Sequence, residues 1–168
     1  PTLKITEIAI PRRMSEILTH PMIVNRLNIN NIKKMLLEKK ANFLIRKDNG
    51  KIIKTNLKYA LYNKLDLAKT ISEKLEIIDR FKLEYGDTIE RQLIDGDIVL
   101  LNRQPTLHKG SMLAQTIKII GDDCKTIRMN LAITKTFNAD FDGDEMNIHV
   151  PSNIEAETEL RLLLTKLL

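Results

Sequence analysis

The chain has 168 residues, 43% hydrophobic and 29% charged, with a formal charge of +5. This is the balance of a globular protein of one or two domains, and the mild basic excess suits a polyanionic partner without requiring one. The single Cys124 excludes an intramolecular disulfide and a Cys–His zinc spacing, no apolar run reaches the ~18 residues of a membrane span, and no signal peptide is visible.

With no Trp and only 4% aromatics, Ile and Leu must fill the interior. Cysteine usage points to an intracellular, reducing setting, with nucleus, cytoplasm and virion undistinguished. The first residue is Pro, so the chain is expected to be an excerpt or a processed piece. Met14, Ile17 and Leu18 keep helical spacing, which predicts a short helix ending before Pro21. His20 reads as a surface or capping residue. Asn28 to Lys40 reads as a helix with Ile32, Met35 and Leu36 on one face. Residues 42–46 and 51–54 flank Asp48-Asn49-Gly50, a hairpin signal. From Asn56 to Lys82 the pattern is helical again, with Thr70 and Glu73 forming a capping box and a Lys-rich face left to solvent.

Beyond Tyr85 the character changes, and five of the six glycines fall here. Short β-type runs over 88–93, 97–101, 112–120 and 126–133 alternate with turns at Asp95-Gly96 and 121–123. That spacing predicts a small closed or partly closed barrel. Ser152 with Glu155 reads as a capping box opening a last helix, with Leu160, Leu163, Leu164 and Leu167 on one side. The expected organisation is a mixed helix and hairpin region over 1–84, a β-barrel over 85–151, and the start of a helical segment over 152–168.

Asp140, Asp142 and Asp144 alternate in Asn138-Ala139-Asp140-Phe141-Asp142-Gly143-Asp144. On a flat strand the outer pair would lie ~13 Å apart, too far to share one small cation. Convergence therefore needs a tight loop, which Gly143 permits by taking positive φ. An EF-hand does not fit: counting from Asp140, Glu145 stands where that loop needs Gly, and Pro151 where it needs Glu. A bare D-x-D-x-D is equally a solvated acidic turn. Phe137, Phe141 and Met146 read as core anchors for the loop. His108 and His149 read as packing residues.

The surroundings of the triad carry a family signature. N-A-D-F-D-G-D resembles the active-site motif of the largest subunit of multisubunit DNA-directed RNA polymerases. Asn102-Arg103-Gln104-Pro105-Thr106-Leu107-His108-Lys109 resembles a second motif of that subunit. Gln104 and Glu145 fit its eukaryotic, archaeal and large-DNA-virus branch. The resemblance is strong from Tyr85 to Pro151 and looser from Ile10 to Lys54. Gly110 and the 56–82 stretch depart from it.

The resemblance implies an α+β fold in which a double-psi β-barrel carries the metal loop. It implies that Asp140, Asp142 and Asp144 hold a catalytic Mg²⁺, with a second ion arriving with the nucleotide. Arg103 and Asn138 are implied near the ribose hydroxyls of the incoming nucleoside triphosphate. Gln104 and Pro105 are expected to shape the same pocket, and Lys109 to reach nucleic-acid phosphate. The implied partners are the second-largest subunit, other polymerase subunits, DNA template, RNA transcript and NTPs, with no membrane.

The chemistry fits the residues. Phosphoryl-type transfer needs positioning and charge neutralisation, and carboxylates are the hard ligands Mg²⁺ prefers. Arg offers five donors, and an Asn amide both donates and accepts. Between Asp97 and Phe137, six basic residues face three acids, a surround suited to a nucleic-acid backbone. The reading is the catalytic-centre portion of a polymerase largest subunit, inactive by itself. Two rivals stand: a non-catalytic nucleic-acid-binding or assembly module, and a purely structural cation site.

Overall fold

The computed structural model describes residues 2–48, 50–121 and 123–165. In chain order the elements are strand β1 (Glu7–Pro11), helix α1 (Arg12–Ile17), β2 (Thr19–Ile23), α2 (Ile29–Leu37), β3 (Ala41–Asp48), β4 (Lys51–Asn56), a π-helical turn (Lys58–Tyr62), α3 (Asn63–Leu67), α4 (Ile71–Arg80), β5 (Thr88–Gln92), β6 (Ile98–Asn102), a 3₁₀ turn (Lys109–Ser111), β7 (Met112–Ile120), β8 (Arg128–Met129), a 3₁₀ turn (Leu131–Ile133), α5 (Thr134–Phe137), β9 (Asn147–His149) and α6 (Ile154–Thr165). The class is α+β, with two sheets in the orders β8-β1-β7-β6-β9 and β2-β5-β3-β4. No helix among the described residues is long and apolar enough to cross a membrane.

The chain divides into two compact units, Thr19–Gln92 and the remainder, Pro1–Leu18 with Leu93–Leu168. In the Thr19–Gln92 unit, the hairpin forms as the pattern predicts, with Phe43 opposite Asn56 and Asp48 opposite Lys51. Its sheet buries Leu44 and Ile89 against Ile32, Leu36, Leu57, Leu61, Leu65 and Ile78 of the helical segments. Each such side chain contributes roughly 1.5–3 kcal/mol on burial. Thr70 caps α4 in a full capping box with Glu73. Tyr62 Oη donates to Ala41 O at 2.5 Å and accepts from Ala41 N–H at 3.3 Å, tying the π-helical turn to β3.

His20 is a correction to the sequence reading. It lies within β2 opposite Arg91 and is 8% exposed, because pairing with β5 draws it into the sheet. Asn49 of the expected hairpin turn, Asp122 of the expected 121–123 turn, and the side chains of Leu164 and Leu167 lie outside the described residues.

In the other unit, β1 runs parallel to β7, with Glu7 beside Thr116 and Pro11 beside Ile120. β6 is antiparallel to β7 on its other side and pairs with β9 along its outer edge. The main core of this unit comprises Ile8, Ile10, Leu93, Val99, Leu101, Ile117, Ile133 and Phe137, and Ile98, Ala114 and Leu160 form a second buried cluster. The expected strand over 126–133 shrinks to Arg128–Met129. Asn130 then turns the chain, accepting from Ala132 N–H and donating to Leu3 O. The last helix is capped by Asn153, whose Oδ1 accepts from Ala156 N–H at 2.8 Å, one residue beyond the expected Ser152. Its Leu160 is buried, while Leu163 is exposed.

Candidate metal centre

Two sequence segments meet at the edge of the five-stranded sheet. β6 ends at Asn102, which pairs with Asn147, the first residue of β9. Arg103 therefore emerges beside the point where the aspartate loop re-enters the sheet. At the loop's other end, α5 is fixed by Phe137, 2% exposed within the core.

Asn138 ends α5 in the left-handed conformation (φ 49°, ψ 42°), and its N–H is bonded to Lys135 O. Asn tolerates this conformation better than most residues, so it serves as a helix stop. Gly110 lets α5 come close: a Cβ there would sit 2.9 Å from both Thr136 Cγ2 and His108 Nδ1.

Between these anchors the loop coils at the surface. Gly143 takes φ +121°, as the spacing of the carboxylates requires. One carboxylate oxygen each from Asp140, Asp142 and Asp144 lies within 4.8 Å of the other two. Asp144 Oδ2 is the organising atom. It accepts from Arg103 Nε at 2.7 Å and from the backbone N–H of Asp140 at 3.3 Å. Met146 packs half-buried on the core, but Phe141 is 74% exposed and anchors nothing, because the coil turns its side chain outward.

The charges follow the geometry. The neighbouring Asp142 carboxylate, followed by desolvation and the charge of Asp144, raises the pKa of Asp140 above the ordinary carboxylate value. The Arg103 guanidinium and the Asp140 N–H hold Asp144 below it. Arg103 is raised in turn by Asp144. A raised and a lowered carboxyl thus stand side by side.

Two cavities flank the loop. One of about 240 Å³ is lined by Arg103, Gln104, Asp144, Glu145 and Asn147. The other, of about 360 Å³, has Lys125, Thr126, Met129, Asp140 and Phe141 among its walls. The structure thus gathers Arg103 and Gln104 with the triad. Pro105 follows a cis peptide bond and is exposed, and Lys109 opens a 3₁₀ turn. Neither lines the smaller cavity. Asn147 is a polar wall that motif reading passed over. Its signal was the alternation in β9, where Ile148 is half-buried and Asn147 and His149 are exposed.

The family model of RNA polymerase Rpb1, domain 2, matches residues 1–166. The human DNA-directed RNA polymerase III subunit RPC1 is 39% identical over 169 residues, covering 98% of this chain and 11% of that protein. Subunit Rpo1N of the DNA-directed RNA polymerase of Thermoplasma acidophilum is 37% identical over 176 residues, covering 98% and 18%. The probable DNA-directed RNA polymerase II subunit RPB1 homolog of Invertebrate iridescent virus 6 is 35% identical over 219 residues, covering 98% and 21%. The chain therefore spans about a tenth to a fifth of the length of these relatives.

Proposed function

The chain belongs to the family of RNA polymerase Rpb1, domain 2, and from that premise we propose that its aspartate loop is the Mg²⁺-binding catalytic centre of a DNA-directed RNA polymerase. The observation that carries the reading is the convergence of three carboxylate oxygens to within 4.8 Å, on a loop held at both ends by the core.

The donors fit the ion. Oxygens around one Mg²⁺ at 2.0–2.1 Å span at most about 4.2 Å, so small side-chain rotations would bring these three to bonding distance. The set is all carboxylate, which suits a hard cation and not a soft one. When bound, the ion would activate the attacking 3′-hydroxyl and neutralise developing phosphate charge. Asp140, Asp142 and Asp144 would hold it.

Arg103 offers five N–H donors and uses Nε on Asp144. Its remaining donors are available to the ribose hydroxyls of an incoming nucleoside triphosphate, with Gln104 sharing the same cavity wall. Asn138 would add an amide to that recognition, and Pro105 would shape the approach. Lys109 would meet nucleic-acid phosphate as a point charge. The second-largest subunit, the other polymerase subunits, DNA template and RNA transcript complete the site in this reading. The five-stranded sheet is proposed as part of a double-psi β-barrel that carries the loop.

The test is Asp142→Ala in the assembled polymerase. We expect normal assembly with nucleotide addition abolished. A variant that still extends RNA would leave the non-catalytic binding module as the better account.

A further inference from the structure

We propose that Arg103 is a positioning residue for the metal: its Nε–H, sharing Asp144 Oδ2 with the Asp140 backbone N–H, holds the aspartate loop in its cation-accepting shape and leaves the other Asp144 oxygen to the ion. This rests on the reading of the loop as a Mg²⁺ site, and adds to it a role for Arg103 distinct from substrate contact.

The loop needs such a tie. Its three carboxylates repel one another, and Phe141 gives it no anchor in the core. Asp144 Oδ2 takes two donors, one from inside the coil and one from outside it. One is Asp140 N–H within the loop; the other is Arg103 at the end of β6. β6 is itself fixed, since Leu101 is fully buried and Asn102 pairs with Asn147. Arg103 thus transfers the rigidity of the sheet to a surface loop.

A cation near a metal site also opposes metal binding by its charge. At an exposed site that repulsion is screened by water, whereas a loop freed of its tie must be re-ordered to close on the ion, at an entropic cost for each backbone residue. Ordering is therefore the larger effect, and removing Arg103 should weaken metal binding. Groups that orient metal-ligating side chains from behind characteristically change affinity by about 10–100-fold when removed.

The experiment is a Mn²⁺ titration of the assembled polymerase, followed by electron paramagnetic resonance. It compares wild type with Asp142→Ala, Arg103→Gln and Arg103→Lys. Wild type should hold one Mn²⁺ that Asp142→Ala loses. Arg103→Gln should bind that ion about 10–100-fold more weakly, with occupancy recovered at high Mn²⁺. Arg103→Lys, which keeps the charge without the planar fork, should fall between them.

Arg103→Gln binding as tightly as wild type, or more tightly, while Asp142→Ala loses the ion, overturns this inference and leaves the metal-site reading standing. An ion count unchanged by Asp142→Ala overturns the metal-site reading itself. Should Arg103→Gln fail to assemble, Arg103→Lys decides: weaker binding supports the role, and wild-type affinity ends it.

Discussion

Asp87 in the unit of the four-stranded sheet and Asp144 in the unit of the five-stranded sheet are each held by one arginine, and the two pairs have opposite surroundings. Arg46 grips Asp87 with Nε at 3.0 Å and Nη2 at 2.6 Å, and the Glu84 N–H adds a third donor at 3.0 Å. The Asp87 side chain is 4% exposed. Burial pushes its pKa up, but Arg46 and the Glu84 N–H outweigh burial, so the carboxyl sits below its ordinary value. Every oxygen there is used, and the pair closes a structure.

Asp144 is different. Arg103 reaches it through Nε, and two more carboxylates stand within 4.8 Å with no cation of their own among the described side chains. The Arg46–Asp87 pair is complete. The Arg103–Asp144 pair leaves negative charge unanswered at the surface, which in the proposed reading is where the ion is received.

Substitutions can break or sharpen this contrast. The largest expected effect is in the open cluster. Asp142→Ala should lower nucleotide addition by the assembled polymerase about 10³-fold or more, since a bound metal supplies several kcal/mol to such a transition state. Subunit assembly and hydrogen-exchange protection should stay unchanged.

The closed pair should respond the other way. Asp87→Ala removes the carboxylate that Arg46 grips, leaving it Lys82 O at 2.8 Å, strips the Glu84 N–H of its acceptor, and should cost about 2–4 kcal/mol of stability. The readout is faster hydrogen exchange at Val24 and Glu84, while Mn²⁺ binding at the aspartate loop persists. The sign with pH follows from the lowered pKa of Asp87: its contribution is present above the unfolded carboxylate value and is lost as pH falls through its folded value. Asp87→Ala should lack that acid-side loss.

A smaller effect is expected at Tyr62, whose burial pushes its pKa up to about 12, partly offset by the bond to Ala41 O. Its folded value lies above the unfolded one, so its contribution is whole below about pH 10 and is lost as pH rises toward 12. Tyr62→Phe should cost about 1 kcal/mol at neutral pH, and alkaline denaturation curves should lose this component. Thr70→Ala removes the α4 cap and should cost about 1 kcal/mol in thermal unfolding, with no change in metal binding.

Much of this was legible from local pattern. The hairpin of β3 and β4, α2, the Thr70–Glu73 capping box and the Asp95-Gly96 turn depend on residues a few positions apart, so their signals survive in one dimension. That any convergence of Asp140, Asp142 and Asp144 needs a coil at Gly143 was legible too, while convergence itself was implied by the family resemblance.

What was not legible depends on residues far apart in the chain. His20 enters the sheet only through β5, 71 positions from Thr19 by the Thr19–Glu90 bond. The strand expected over 126–133 is cut short by Asn130, which reaches back to Leu3. Phe141 looked like an anchor because it is apolar, but the coil that joins the carboxylates turns it outward.

By itself the sequence determined the three alternate aspartates, the glycine turn among them, and the family to which those motifs point, because each is written in contiguous residues. Only the tertiary structure decided which cation stands behind the carboxylates. Arg103 meets Asp144 because β6 and β9 pair edge to edge, joining residues 41 positions apart. Local spacing cannot encode that pairing, since it is fixed by the core both strands share.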